Sequence, residues 1–426
     1  MKTNRPHAFC LLTATTLIWG CGGDPIVGKD RCFGEHISCN SDAPTLREPD
    51  LFEPLQHTFE VVSSGALEKS WTHRLDADRY VMQVQPAPDG GVWTLLGGGE
   101  IKRELRQLDA DGAVLASHLV PFLPVPDLTV DAKLQPSVTG WNPEGATYAA
   151  LTGSGELHAQ TIATHIHWGG EGRALVSSAF DAGATLALFT PDESYVARYA
   201  ADGQLTWQQT DVRDARKYPF ADAIRGPEAN YALVPLSDGA VAVGVPKYIT
   251  ESTGVTVGRA QGITVLEPDG NVRWDIWFPS APPSAMLIQP GADGSLLAAY
   301  TGSLEGTHAS TIVALNRDGE VVASWTALQG EYSAVPAALC SDATGDVYAT
   351  FLTTEHDRSP IAICRMRSSA PDEAVACRVL EGFEGWPWVM LGGVAAPEPG
   401  AIVLAYSTAS PEPDFPEVAE IVRVAW

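Results

Sequence analysis

Apolar residues along this chain recur in short strand-like runs rather than at helical spacing. A glycine opens such a run at Gly90, Gly145, Gly183, Gly239, Gly294, Gly345 and Gly400, and the runs read GGVWTLLG, GATYAALTG, GATLALFTP, GAVAVGVP, GSLLAAYTG, GDVYATFLT and GAIVLAYST. The third residue after the glycine is Trp93, Tyr148, Leu186, Ala242, Leu297, Tyr348 or Val403. The sixth is Leu96, Leu151, Phe189, Val245, Tyr300, Phe351 or Tyr406, apolar in every copy. No stretch repeats apolar residues at i, i+3, i+4 and i+7, so few helices are expected.

Before each glycine lies a strand of small and branched residues, such as NYALVPL or VPAALCS, which ends in a turn. Glycine there accepts the positive φ that a tight hairpin requires. A second hairpin follows in most units, at Asp111 and Gly112, Asp202 and Gly203, Asp269 and Gly270, and Asp318 and Gly319. Two hairpins make four strands, and the spacing of 51 to 56 residues between most of the opening glycines has room for them. The span from Gly145 to Gly183 is only 38 residues, and the second hairpin of that unit, placed around His165, has no Asp-Gly pair.

One such sheet cannot bury both of its faces, whereas sheets packed around an axis bury them against neighbours. The last unit reaches Trp426 after three strands, and EKSWTHRLD at Glu68 to Asp76 supplies the missing fourth. The expectation is an all-β, seven-bladed β-propeller of four-stranded antiparallel blades over residues 58–426, its last blade closed by an N-terminal strand. Six or eight blades remain open. A string of small β-sandwiches is the alternative, but each needs about a hundred residues.

Composition narrows the class. With 45% hydrophobic residues, 40 Gly and 31 Pro, the chain is neither disordered, collagenous nor a coiled coil. Its 27 Lys and Arg against 52 Asp and Glu give a net charge of -25, which repels phosphate backbones and anionic lipid, so nucleic acid is not an expected partner.

Lys2, Arg5 and His7 precede an apolar run from Ala8 to Ile18, the layout of a secretory signal and too short to span a bilayer. Ile18, Trp19, Gly20 and Cys21 resemble the lipobox of bacterial lipoproteins, although Trp19 stands where that family has a small residue. The resemblance implies a signal peptide over 1–20, lipidation of Cys21 and, with Gly22 following, the outer membrane. Residues 21–57 carry Gly, Pro, Asp, Asn and Ser with little periodicity and are expected to form a flexible tether. Within it, Cys32 and Cys39 are placed for a small disulfide loop in an oxidising compartment. If Ala370 and Pro371 centre a hairpin, Cys364 and Cys377 fall opposite each other and can bridge, which leaves Cys340 buried and free.

The strands DGQLTW and DGNVRW place Trp207 and Trp274 four residues beyond Gly203 and Gly270. This is similar to the repeat of quinoprotein-like propellers, in which a Trp at that distance docks one blade onto the next. The resemblance implies a fold, not a substrate.

Loops carry function more often than scaffold strands, and the longest here surround the fourth unit. Asp211 to Asn230 and Pro246 to Ala260 contain Arg213, Arg216, Lys217, Tyr218, Arg225, Lys247, Tyr248 and Arg259. In so acidic a chain these form a candidate patch for an anionic partner, although the interleaved Asp211, Asp214, Asp222 and Glu251 can simply pair with them. His165 and His167, and separately His308 and His356, lack a third ligand at metal spacing. Leu108 to Leu115 fits an Asp-Gly hairpin better than a calcium loop, and Trp386 with Trp388 offers an aromatic platform or a buried contact. No Gly-x-Ser-x-Gly, Walker-type loop or His-Glu-x-x-His occurs, so neither cofactor nor metal is expected. The resulting expectation is a monomeric, lipid-anchored module of the cell envelope that binds a protein, peptide or glycan. A propeller enzyme (hydrolase, lyase or quinone-dependent dehydrogenase) acting at the central channel mouth is the alternative.

Overall fold

A computed structural model describes residues 57–76, 79–98, 103–121, 127–131, 133–142, 144–152, 155–164, 173–178, 183–189, 194–200, 202–210, 232–250, 256–279, 286–291, 294–304, 307–353, 360–381, 388–409 and 418–426. The described chain enters as β1 (Thr58–Glu60), β2 (Ala66–Leu67) and β3 (Lys69–Arg74). Blade one is β4 (Arg79–Pro86), β5 (Val92–Gly98), β6 (Arg103–Leu108) and β7 (Val114–Val120). Blade two is β8 (Asp127–Val130), β9 (Pro136–Asn142), β10 (Gly145–Leu151) and β11 (Leu157–Thr164). Blade three is β12 (Arg173–Ser178), β13 (Ala184–Phe189), β14 (Ser194–Tyr199) and β15 (Leu205–Thr210). Blade four is β16 (Ala232–Pro235), β17 (Val241–Thr250), β18 (Thr256–Leu266) and β19 (Val272–Pro279). Blade five is β20 (Met286–Pro290), β21 (Leu296–Leu304), β22 (Thr307–Leu315) and β23 (Val321–Leu328). Blade six is β24 (Pro336–Ser341), β25 (Asp346–Leu352), β26 (Ile361–Arg367) and β27 (Ala376–Leu380). Blade seven is β28 (Trp388–Glu398), β29 (Ala401–Ala409), β30 (Val418–Ala425) and, in fourth place, β3.

The protein is a seven-bladed β-propeller. Its inner strands β4, β8, β12, β16, β20, β24 and β28 each touch the next, and β28 touches β4. Buried apolar side chains fall into seven clusters, one for each junction between consecutive blades. The cluster between blades seven and one packs Ile421, Val403 and Ala405 against Val81, Leu96 and Leu108. Alternation along each strand sends side chains to both faces, so every blade serves two clusters at once.

Blade two departs from the expected register. Its inner hairpin turns at Asp131 to Gln135, where the Leu134 N–H donates to the Asp131 carbonyl as the Gly239 N–H does to Leu236 in blade four. Leu134 holds a φ of 58° in the place glycine takes elsewhere. Gly145 therefore opens the third strand of its blade rather than the second, and the second hairpin turns at Thr152 to Glu156 rather than around His165. Without a glycine at position 134, the repeat was invisible there.

Tryptophans brace three junctions in one way. The indole N–H of Trp207 donates to the Pro268 carbonyl at 2.7 Å, that of Trp274 to Arg317 at 3.0 Å and that of Trp71 to Ala110 at 2.7 Å. Each ring lies against the turn of the following blade, and a Cβ added to Gly270 would stand 2.8 Å from the Trp207 ring. Trp71 comes from β3, so the closing strand docks onto blade one by the contact that joins blades three to four and four to five. Trp325, two residues off that position, is instead fully buried in the cluster between blades five and six.

The N-terminal segment does more than supply β3. On its way, β1 pairs in parallel with β23 at the outer edge of blade five, and β2 with β27 at the edge of blade six. Ser64 donates both its N–H and its hydroxyl to the Cys377 carbonyl. Cys377 is bridged to Cys364 across β26 and β27, and Cys340 is buried and free. At the seam, Glu420 accepts from Arg74 at 3.0 Å and from the Tyr406 hydroxyl, with Lys69 at 3.7 Å. Burial raises the Glu420 carboxyl, but its hydrogen bonds and the two cations outweigh that and hold it below its usual range. Arg423 donates to the Gly90 carbonyl at 2.8 Å and to Glu398 at 3.0 Å, tying blade seven to the first turn of blade one.

Two outcomes are expected. Gly270→Ala combines a φ of 87° with the Trp207 clash, whereas Gly400→Ala at a φ of 72° meets open space. The first should cost about 2 kcal/mol more than the second in denaturant unfolding, and equal losses would reject the docking role of the turn. His73, on β3, has its Nε2 3.2 Å from Arg106 Nη1. Burial, then the Arg106 cation, lowers its pKa, only partly opposed by the Gly112 backbone and Asp76. The unfolded chain thus takes up a proton first, so the stability that the neutral ring supplies is present above about pH 6.5 and is lost as pH falls below it. His73→Gln should flatten the fall of melting temperature between about pH 6.5 and 5. An unchanged slope would assign the fall to other groups.

Candidate functional site

In each blade the turns joining first to second and third to fourth strands share one end of the ring, and the remaining connections share the other. The Asp-Gly turns make the first end compact. The opposite loop face carries the longer features, concentrated at blades four and five. There β17 has no inner partner beyond Gly244, and β18 has no outer partner before Ala260, among the described residues. The end of that hairpin is a two-stranded ribbon reaching roughly 15 Å past the blade at about 3.3 Å per residue. Its register sets Tyr248 across from Arg259 and Lys247 across from Ala260. In blade five the hairpin of β21 and β22 likewise continues past Tyr300 to the pair Leu304 and Thr307, so each of these two consecutive blades carries an extended hairpin on the loop face.

The expected loop from Pro246 to Ala260 is thus mostly a paired ribbon. Long strands form here because β-branched and aromatic residues (Val245, Tyr248, Ile249, Thr250, Thr256, Val257) continue through both arms. Arg213, Arg216, Lys217, Tyr218 and Arg225 lie outside the described residues. The ends of their segment, Thr210 on β15 and Ala232 on β16, lie on the loop face, with Ala232 in register with Gly244 where the ribbon begins. His308 sits on β22 in register with Ser303 rather than in a loop. His165, His167, His356, Trp386, Cys21, Cys32 and Cys39 lie outside the described residues, and Trp388 begins β28 opposite Ala409. Among the described residues no group of three His, Cys, Asp or Glu is placed to hold a metal ion.

A second concave site lies on the turn face at the junction of blades six and seven. It is an open cleft of about 150 Å³ lined by Arg365, Arg367, Glu373, Ala374, Ala376 and Trp426. Arg365 and Arg367 share a face of β26 because they are two residues apart. Arg365 donates through Nε to Asp346 at 2.8 Å, and through Nη2 to the same oxygen. Burial works against the Arg365 cation, but the Asp346 hydrogen bond leads the effects that raise it above its usual range. Arg367 donates through Nη1 to Glu373 at 2.8 Å. Trp426 packs edge-on to Tyr348 at 6.0 Å between centroids, with the Arg378 guanidinium 5.1 Å from its ring centre. Behind them Asp342 accepts from the Tyr348 hydroxyl at 3.0 Å, and burial followed by the Asp342 charge pushes that phenol well up. Nothing in the local sequence marks this site. The missing tryptophan in the fourth strand of the sixth unit does not mark it, because the fourth strands of blades one and two lack tryptophan as well.

Neither a protein-family model nor a curated protein matches the chain. Solved structures do. The chain is similar to the β-propeller domain of the Trilobed protease from Pyrococcus furiosus, at 11% identity and a TM-score of 0.47 over 80% of this chain and 97% of that one. It is also similar to a protein of unknown function from Dyadobacter fermentans, at 12% identity and a TM-score of 0.42 over 85% and 100% of the two chains. A polysaccharide lyase shares 9% identity with a TM-score of 0.44 over 84% and 99%.

Proposed function

We propose that the protein is a lipid-anchored binding module of the cell envelope, which presents the loop face at blades four and five to a protein, peptide or glycan partner. The observation that carries this reading is the ribbon of β17 and β18 that projects from the loop face of blade four, with the ends of the segment 211–231 on the same face. Lys247, Tyr248 and Arg259 belong to that ribbon, in a chain with a net charge of -25. Backbone-paired ribbons hold their register without a bound partner, so recognition there costs little ordering entropy. Tyrosine and arginine are the side chains that most often anchor interfaces, and arginine forks match carboxylates on a partner. Anchoring follows from the likeness of Ile18 to Cys21 to a lipobox, and the bridged Cys364 and Cys377 fit an oxidising compartment.

A photo-crosslinker placed at Tyr248 should label a partner in native envelopes, while one at Asp269 on the turn face should not. Lys247→Glu with Arg259→Glu should reduce that labelling about tenfold with little change in melting temperature. Equal labelling from both ends, or labelling indifferent to the double substitution, would refute the loop-face assignment. Cys21→Ala should shift the protein from the membrane to the soluble fraction, and retention on the membrane would remove the anchor from the proposal.

A further inference from the structure

The junction of blades six and seven is built differently from the three at which a fourth-strand tryptophan docks on the next blade's turn. In blade four the row Ala242, Val265 and Trp274 runs across the second, third and fourth strands, and in blade seven the row is Val403, Arg423 and Trp71. The matching row of blade six is Tyr348, Arg365 and Ala376. Ala376 therefore stands where the other two blades carry the docking indole. The surface it would dock against is also missing. The third strand of blade seven is β30 and the fourth is β3 from the other end of the described chain, so no turn connects them. An indole and a turn are both absent, and the cavity of about 150 Å³ is what remains.

Its chemistry is specific. Trp426 and Ala376 give one apolar wall, and Arg365, Arg367 and Glu373 line the rest of an open cleft wide enough to admit the edge of a flat ring. The Nη1 of Arg365 and the Nε and Nη2 of Arg367 have no hydrogen-bond partner among the described residues. The Arg367 to Glu373 pair has both side chains about half exposed, at 46% and 56%, so an incoming anion displaces Glu373 at small cost. We propose that this cavity binds a planar aromatic carboxylate, its ring beside Trp426 in the space an indole fills at other junctions and its carboxylate on the open N–H groups of Arg367 and Arg365. This site lies on the turn face and is independent of the loop-face reading.

Calorimetric titration of the full-length protein with indole-3-acetate tests it. Saturable binding at one site per chain is expected, with indole alone and acetate alone each at least about tenfold weaker. Arg367→Gln should weaken indole-3-acetate about tenfold, whereas Lys247→Glu with Arg259→Glu should leave it unchanged. Ala376→Trp should fill the cavity, abolish binding and raise the melting temperature. Ala376→Leu, a smaller filling, serves if the larger side chain prevents folding, and should weaken binding without lowering stability. Heat that never saturates, indole binding as tightly as its acetate, or an Ala376→Trp or Ala376→Leu protein that binds like the parent would overturn the proposal.

Discussion

Each sheet of this chain has two apolar faces and no layer of its own to cover them, so burial between neighbouring blades is the interaction from which the rest follows. The seven inter-blade clusters are that burial, and the ring must close or two faces stay wet. At the seam the apolar contribution dominates. Side chains such as Ile421, Val403 and Leu96 each bring roughly 1.5 to 3 kcal/mol when fully buried. The Arg74 partner of Glu420 is 71% exposed, and that ion pair adds a fraction of this. Polar groups there fix register instead: Trp71 and Arg423 both reach the Ala110 carbonyl, and only one alignment of β3 allows it.

The opening glycines were legible because a tight hairpin needs a positive φ that few other residues accept, and the third residue beyond each of six of them falls on a buried position of the second strand. Blade two hid its turn behind Leu134, which adopts the same backbone at a steric cost, and Gly145 imitated the missing mark from a different turn. The fourth strand at Glu68 to Asp76 was readable from the arithmetic of a last unit with three strands. β1 and β2 were not, because edge pairing of two or three residues leaves no periodicity to find. The ribbon of blade four looked like a loop, since Pro246, Lys247 and Gly258 interrupt its apolar pattern while backbone pairing continues through them.

The sites show the same division. Local sequence exposed the cations around blade four, because charge in an acidic chain stands out without any fold. The cavity between blades six and seven depends on Ala376 lacking a side chain and on a turn that the topology removes, and neither has a local signature. Three junctions use that space for indole packing, and at the junction of blades six and seven neither an indole nor a turn occupies it.

The central claim is that the amino-terminal segment 57–76 closes the ring. Hydrogen exchange compared between the full-length protein and one lacking residues 57–76 tests it most directly. Loss of protection throughout β30 and β29, spreading to β5 and β6 of blade one and to the outer strands β23 and β27, is the predicted result. Unchanged protection in blade seven and blade one would contradict it.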